Sequence, residues 1–154
     1  MDVVTDQPTA KDLLSRMDDG WAAFSQAVHA MPAERLEGRL GEDGWTRKQM
    51  LAHIAIWHDL TIDRLGEQNE TGRPAEVEAD EDAVNARAAR GAGGRTTGEV
   101  ILALDESYRR LRREVARMTN DQVGANKSWA ATIIAANTWR HYDEHLPDLD
   151  RRSA

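Results

Sequence analysis

Histidines are the residues of this chain best equipped for chemistry. His141 and His145 stand four apart within Asn137-Thr138-Trp139-Arg140-His141-Tyr142-Asp143-Glu144-His145, so on a helix both project from one face, one turn above the other. That spacing lets two imidazoles share one metal ion. Ile134, Asn137 and Thr138 fall on the same face, and the histidines continue an inward stripe. Glu144 is offset by about 60 degrees, close enough to support a ligand without being one. On an earlier segment His53 falls between Met50, Ile54 and Trp57, in the arc that faces the core. It is the third inward histidine that a three-ligand site requires. His58 lies about 140 degrees around the helix from His53 and cannot aim at the same centre. It is read as a packing or solvent-facing residue, and His29, just before Met31-Pro32, as a helix-end surface residue.

Buried histidines need hydrogen-bond partners and a settled protonation state, and three in one neighbourhood repel one another when charged. A divalent metal bound by His53, His141 and His145 resolves both problems. A hydrogen-bonded histidine cluster in a metal-free ligand pocket is the other solution. The chain has no cysteine, so disulfides, thiolate ligands and cysteine nucleophiles are all excluded. A metal must be held by histidine, carboxylate or water, and thiol chemistry would need a supplied thiol. Neutral imidazoles leave coordination positions open, where water or such a thiol can be activated. Trp45, Trp57, Asn137 and Tyr142 are the expected walls of a ligand pocket, with Asn85 as a lid residue from a connecting segment. Five tryptophans in 154 residues fit either a bulky core or such aromatic walls.

The elements that must position these groups follow from periodicity. Thr9 with Asp12 opens a first helix, on which Leu13, Met17, Trp21, Phe24 and Val28 form one stripe before Pro32 ends it. Gly20 weakens that helix slightly. Ala33 to Gly44 reads as a connection with a short turn of helix. Thr46 and Gln49 make a capping box for the second helix, Trp45 and Met50 a hydrophobic staple, and Gly66 a stop. Residues 66–96 form a long connection, with a short helix expected over Asp82 to Arg90. Thr96 with Glu99 opens the third helix, whose seam is Val100, Leu104, Tyr108, Leu111, Val115 and Met118, with Asn120 as its end. The fourth is expected from near Trp129 to Leu146, stopped by Pro147. No segment alternates with the period of two that a strand requires.

Four amphipathic helices without strands predict an all-α four-helix bundle, a single domain over residues 1–154. A connection of about thirty residues is far longer than antiparallel neighbours need, so the second and third helices are expected to run parallel, joined by a crossover. The net charge of −7 argues against a nucleic-acid partner, since phosphate neutralisation calls for a basic surface. Arg109, Arg110, Arg112 and Arg113 form the local exception, diluted by Asp105, Glu106 and Glu114. No apolar run approaches the roughly 20 residues that span a bilayer. Met1 to Pro8 lacks the basic-then-apolar pattern of a signal peptide, so a cytoplasmic location is expected, with no membrane partner.

Trp45-Thr46-Arg47-Lys48-Gln49-Met50-Leu51-Ala52-His53-Ile54-Ala55-Ile56-Trp57 resembles the start of the second helix in DinB-like proteins. The Asn137–His145 segment, and Val84-Asn85-Ala86-Arg87, are similar to their ClbS/DfsB-type branch. The resemblance spans the chain from the first helix to Pro147. It implies an up-down-down-up bundle, often a homodimer, with a histidine triad for zinc, nickel or a similar ion. Carried over by position, that triad is again His53, His141 and His145. Some members of the superfamily transfer low-molecular-weight thiols or isomerise maleylpyruvate with one. The ClbS type hydrolyses a reactive cyclopropane-bearing genotoxin. The expected function is therefore metal-assisted hydrolysis or thiol transfer on a small electrophile. A protein that sequesters such a molecule, or a stress-associated dimer with a structural metal, are the alternatives.

Overall fold

A computed structural model describes residues 7–40, 44–76 and 80–150. The reading of Met1 to Pro8 as lacking a signal falls almost wholly outside them. Helix α1 (Ala10–Ala30) opens on the Thr9–Asp12 capping box and buries Leu13, Met17, Phe24 and Val28. The expected turn after Pro32 is α2 (Ala33–Leu36). The Thr46–Gln49 box starts α3 (Arg47–Thr71), and Asp80 caps α4 (Glu81–Gly93) within the long connection. Thr96 and Glu99 start α5 (Thr97–Ala116), which buries Val100, Leu104, Tyr108, Leu111 and Val115. Two further helices, α6 (Asn120–Asn137) and α7 (Trp139–Asp150), complete the chain. Among the described residues the β-structure is one isolated bridge, Arg39 to Thr46.

Side-chain contacts give the helix directions. Lys48 Nζ donates to the Arg95 carbonyl at 2.9 Å, while His58 meets Ser107 ten residues further along α3. Helices α3 and α5 therefore run parallel, as the crossover requires. Arg47 Nε donates to the Asp148 carbonyl and His53 meets His141, so α3 and α7 are antiparallel. Asp18 accepts from Arg112, and His29 pairs with Asp105, which sets α1 against α5. The result is an up-down-down-up bundle. Gly20 has a use in it: a Cβ there would sit 2.9 Å from Trp139 Cβ, so its hydrogen is what lets α1 and α7 approach.

Three boundaries depart from the sequence expectation. Helix α3 passes through Gly66 and ends five residues later, where Gly72 takes the left-handed conformation with φ 77°. Open space surrounds Gly66, whereas Leu65 and Gln68 are buried, and that burial outweighs the roughly 1 kcal/mol preference against helical glycine. Asn120 begins a helix instead of only ending one, through a Thr119–Gln122 capping box. That helix breaks at Asn126, Lys127 and Ser128, with φ of 55°, 57° and 60°. Each left-handed residue costs roughly 1–2 kcal/mol. Asn126 offsets part of this by donating to Gln68 Oε1 and the Gly72 carbonyl. Finally, the expected fourth helix bends at Thr138 (φ −121°, ψ −106°), and Pro147 lies inside α7. Leu149 in the core and the Arg47–Asp148 bond hold the turn that the proline would otherwise release.

Candidate metal centre

The capping box at Thr46 fixes where α3 starts, and so fixes His53 two turns later on its inner side. The bend at Thr138 re-aims the chain so that His141 and His145 on α7 face it. One nitrogen of each ring lies within 4.8 Å of the others. His53 and His141 are buried, and His145 is half-buried.

Hydrogen bonds settle where most of the protons are. Asn85 Oδ1 accepts from Trp57 Nε1 at 2.8 Å and lies 2.7 Å from His53 Nδ1. An amide oxygen only accepts, so His53 carries its proton on Nδ1 and presents a bare Nε2. His145 Nδ1 stands 3.2 Å from Asp148 Oδ2 and is the donor of that pair. His53 Nε2 faces His141 Nε2 at 2.9 Å, and the buried Nδ1 of His141 has no hydrogen-bond partner. Burial lowers the pKa of His53, with Asn85 opposing, and lowers that of His141 to about 3, with His53 and His145 adding repulsion. Both rings are therefore neutral at pH 7. Neutral imidazoles, converging and incompletely paired, are the donor set a divalent cation takes. The three histidines could hold an ion, and the chain's own hydrogen bonds do not satisfy them.

The triad opens into a cavity of about 430 Å³ lined by Trp45, Trp57, Asn85, Asn137, Glu81 and Glu144 beside the three rings. Four of the five residues expected to bind a ligand are therefore brought together. The fifth, Tyr142, is not among the lining residues. Its hydroxyl is buried on the other side of α7, 2.7 Å from His58 Nε2. His58 is fully buried and packed, which removes the solvent-facing option. Asn85 is more than a lid, since it orients both His53 and Trp57. Glu81 was missed; its signal was its place four residues before Asn85, one turn away on α4. A larger cavity, about 810 Å³, lies between α1, α6 and α7 beside Arg16 and Arg140, away from the histidines.

A DinB superfamily model matches residues 16–145. The chain belongs to the DinB superfamily, and no curated protein matches it. Among solved structures it is similar to the colibactin self-resistance protein ClbS in complex with double-stranded DNA. The TM-score is 0.77 at 13% identity, over 96% of both chains. It is similar to the sibling lethal factor precursor DfsB at TM-score 0.75 and 11% identity, over 92% of this chain and 93% of that one. A mycothiol-dependent maleylpyruvate isomerase mutant matches at 0.75 and 18% identity, over all of this chain and 65% of that one. At these identities the likenesses establish the fold.

One expectation is overturned. Net charge does not exclude nucleic acid for this fold, because ClbS is solved with DNA bound. The physical reason is that net charge sums over the whole surface, whereas phosphate contacts need only a local cationic patch. As for membranes, no helix among the described residues is long and apolar enough to cross one.

Proposed function

We propose that this chain is a metal-dependent enzyme that directs water or a low-molecular-weight thiol onto a small electrophilic molecule. The observation that carries the reading is the convergence of His53, His141 and His145, with a buried unpartnered nitrogen, at the wall of a cavity sized for a small ligand. Zinc or nickel suits imidazole donors. A bound ion of that kind supplies Lewis acidity, which makes a nucleophile available near neutral pH. The chain does the rest. Asn85 and Asp148 hold the proton of His53 and of His145 on Nδ1 and so orient each ring. Trp45 and Trp57 form apolar walls that exclude competing water.

Metal analysis of tag-free protein tests the first half, with one equivalent of zinc or nickel expected. Incubation with epoxides and cyclopropanes, with and without thiols, tests the second. Turnover should vanish in His141→Ala. Tight ligand binding without turnover, unchanged in metal-free protein, would replace the enzyme by a sequestering protein.

The ClbS complex favours a second ligand, double-stranded DNA, and we propose the exposed Arg109 and Arg113 on α5 as the surface to meet it. Retention of duplex DNA should weaken steeply with salt and disappear in the double alanine variant. Retention unaffected by those substitutions would place any such surface elsewhere.

A further inference from the structure

The triad cavity differs in charge from the larger one. Among the described residues the larger cavity is lined by two arginines, Arg16 and Arg140, and one aspartate, Asp12. Among the described residues no arginine or lysine lines the cavity beside the histidines, and its formally charged lining residues are Glu81 and Glu144. These carboxylates come from different elements, Glu81 from the first turn of α4 and Glu144 from α7. Neither is tied up in a hydrogen bond or ion pair among the described residues. Glu144 is close enough to act electrostatically on His53.

The aromatic walls carry the same sign. An indole face is the negative end of a quadrupole and attracts cations. One instance is already present: the Arg64 guanidinium sits 5.4 Å from the centre of the Trp57 ring, outside the cavity lining. Trp45, whose ring centre lies 5.3 Å from that of His53, is the wall left for a ligand. Buried His141, which also lines the cavity, keeps one nitrogen without a hydrogen-bond partner.

Resting on the function proposed above, we propose that the substrate carries a positive charge, as an ammonium, amidinium or guanidinium group, held by Glu81 and Glu144 against Trp45. An electrophile with a carboxylate or phosphate in that position is rejected. The electrophilic centre then lies on the histidine side of the ligand and the cation on the glutamate side. Two solvent-accessible carboxylates give a modest preference, about five- to tenfold over a neutral isostere.

The test uses three ligands of one shape: benzylammonium, benzyl alcohol and phenylacetate. Binding is titrated by calorimetry and by tryptophan fluorescence on chelator-treated full-length protein, so that the amine cannot coordinate a metal. Benzylammonium should bind about five- to tenfold more tightly than benzyl alcohol, with phenylacetate weakest. Glu81→Gln/Glu144→Gln should erase that order while still binding benzyl alcohol. Equal affinities, tighter phenylacetate binding, or no benzylammonium binding at millimolar concentration would overturn the proposal. So would an order that survives in the double variant. If zinc affinity falls in that variant while the parent shows no cation preference, the carboxylates serve to balance an ion instead. Because selectivity is read without metal or turnover, the cation proposal and the enzyme reading can fail separately.

Discussion

Helix α3 carries two histidines five residues apart, and the structure treats them in opposite ways. His58 is fully buried with both nitrogens occupied, 2.8 Å from Ser107 Oγ and 2.7 Å from the Tyr142 hydroxyl. Ser107 donates its own proton to the Leu104 carbonyl, so it must accept from His58 Nδ1, and Tyr142 donates to Nε2. Every proton in that chain has one place to go. Trp21, stacked on Tyr108 at 4.3 Å, and Phe24, stacked on Tyr142, close it off from water. At His53 the chain of bonds stays open: its Nε2 accepts from His141, the other nitrogen of His141 is orphaned, and a cavity adjoins. A buried histidine is structural when the chain completes its hydrogen bonds. It is available for function when the chain stops short of doing so.

The comparison is broken most directly by deleting a ligand. His141→Ala should weaken zinc binding by more than the roughly 10–100-fold that changes outside the ligand set produce, as read by chelator competition. The metal-free variant should melt close to the parent, because an unpaired buried group has been removed. A large loss of metal-free stability would mean that His141 is structural like His58.

The converse substitution should divide the two regions cleanly. His58→Ala strands the Tyr142 hydroxyl, at about 1–3 kcal/mol for a buried unsatisfied group, removes the bond that Ser107 accepts, and opens a cavity. A fall of several degrees in Tm is expected, while the upward shift of Tm by zinc persists. Loss of the zinc shift in His58→Ala, with retention in His53→Ala, would reverse the assignment of the ligand on α3.

Acid sharpens the comparison. Burial lowers the pKa of both His58 and His141 to about 3, against about 6.5 in the unfolded chain. Between those values the unfolded state binds protons that the folded state refuses. Stability is therefore complete above pH 6.5 and falls as the pH drops, by at most about 1.4 kcal/mol per unit for each histidine. Acid unfolding should be complete before pH 3. Excess zinc should move its midpoint downward in the parent and leave it unmoved in His141→Ala, as followed by circular dichroism.

The smallest effect is expected at Asn85. Asn85→Ala removes the acceptor shared by His53 Nδ1 and Trp57 Nε1, so the His53 ring is no longer held in one tautomer. Zinc affinity should fall about tenfold with little change in the spectrum of the fold. An unchanged affinity would show that α3 alone orients His53.

The fold was legible because its signals are local. Capping boxes at Thr9, Thr46 and Thr96 each announced the helix that follows, and the long connection gave the parallel pair. The convergence of His53 with His141 and His145 was legible too, since helical phase decides which residues share a face. What was hidden depends on distant partners. Gly66 reads as a stop until Gln68 is seen to bond across to α6, and Pro147 reads as one until Arg47 is seen to hold the turn beyond it. Tyr142 was expected in the ligand cavity, but it adjoins His141, and neighbours in a helix point about 100 degrees apart. Nothing in the local sequence of His58 says that a serine and a tyrosine from two other helices will complete it.

Thr138 gives the molecule a lever. It separates α6 from α7, so the short last helix takes its own direction there instead of being an extension of a long rod. At 1.5 Å per residue, His141 stands about 4.5 Å from that point and His145 about 10.5 Å. A given tilt of α7 therefore carries His145 more than twice as far as His141. Near the fulcrum, Tyr142 is latched to His58; at the far end, Arg47 grips the Asp148 carbonyl. The reach of His145 is thus fixed from both ends of the lever, by the latch near Thr138 and by the grip of α3 on the last turn of α7.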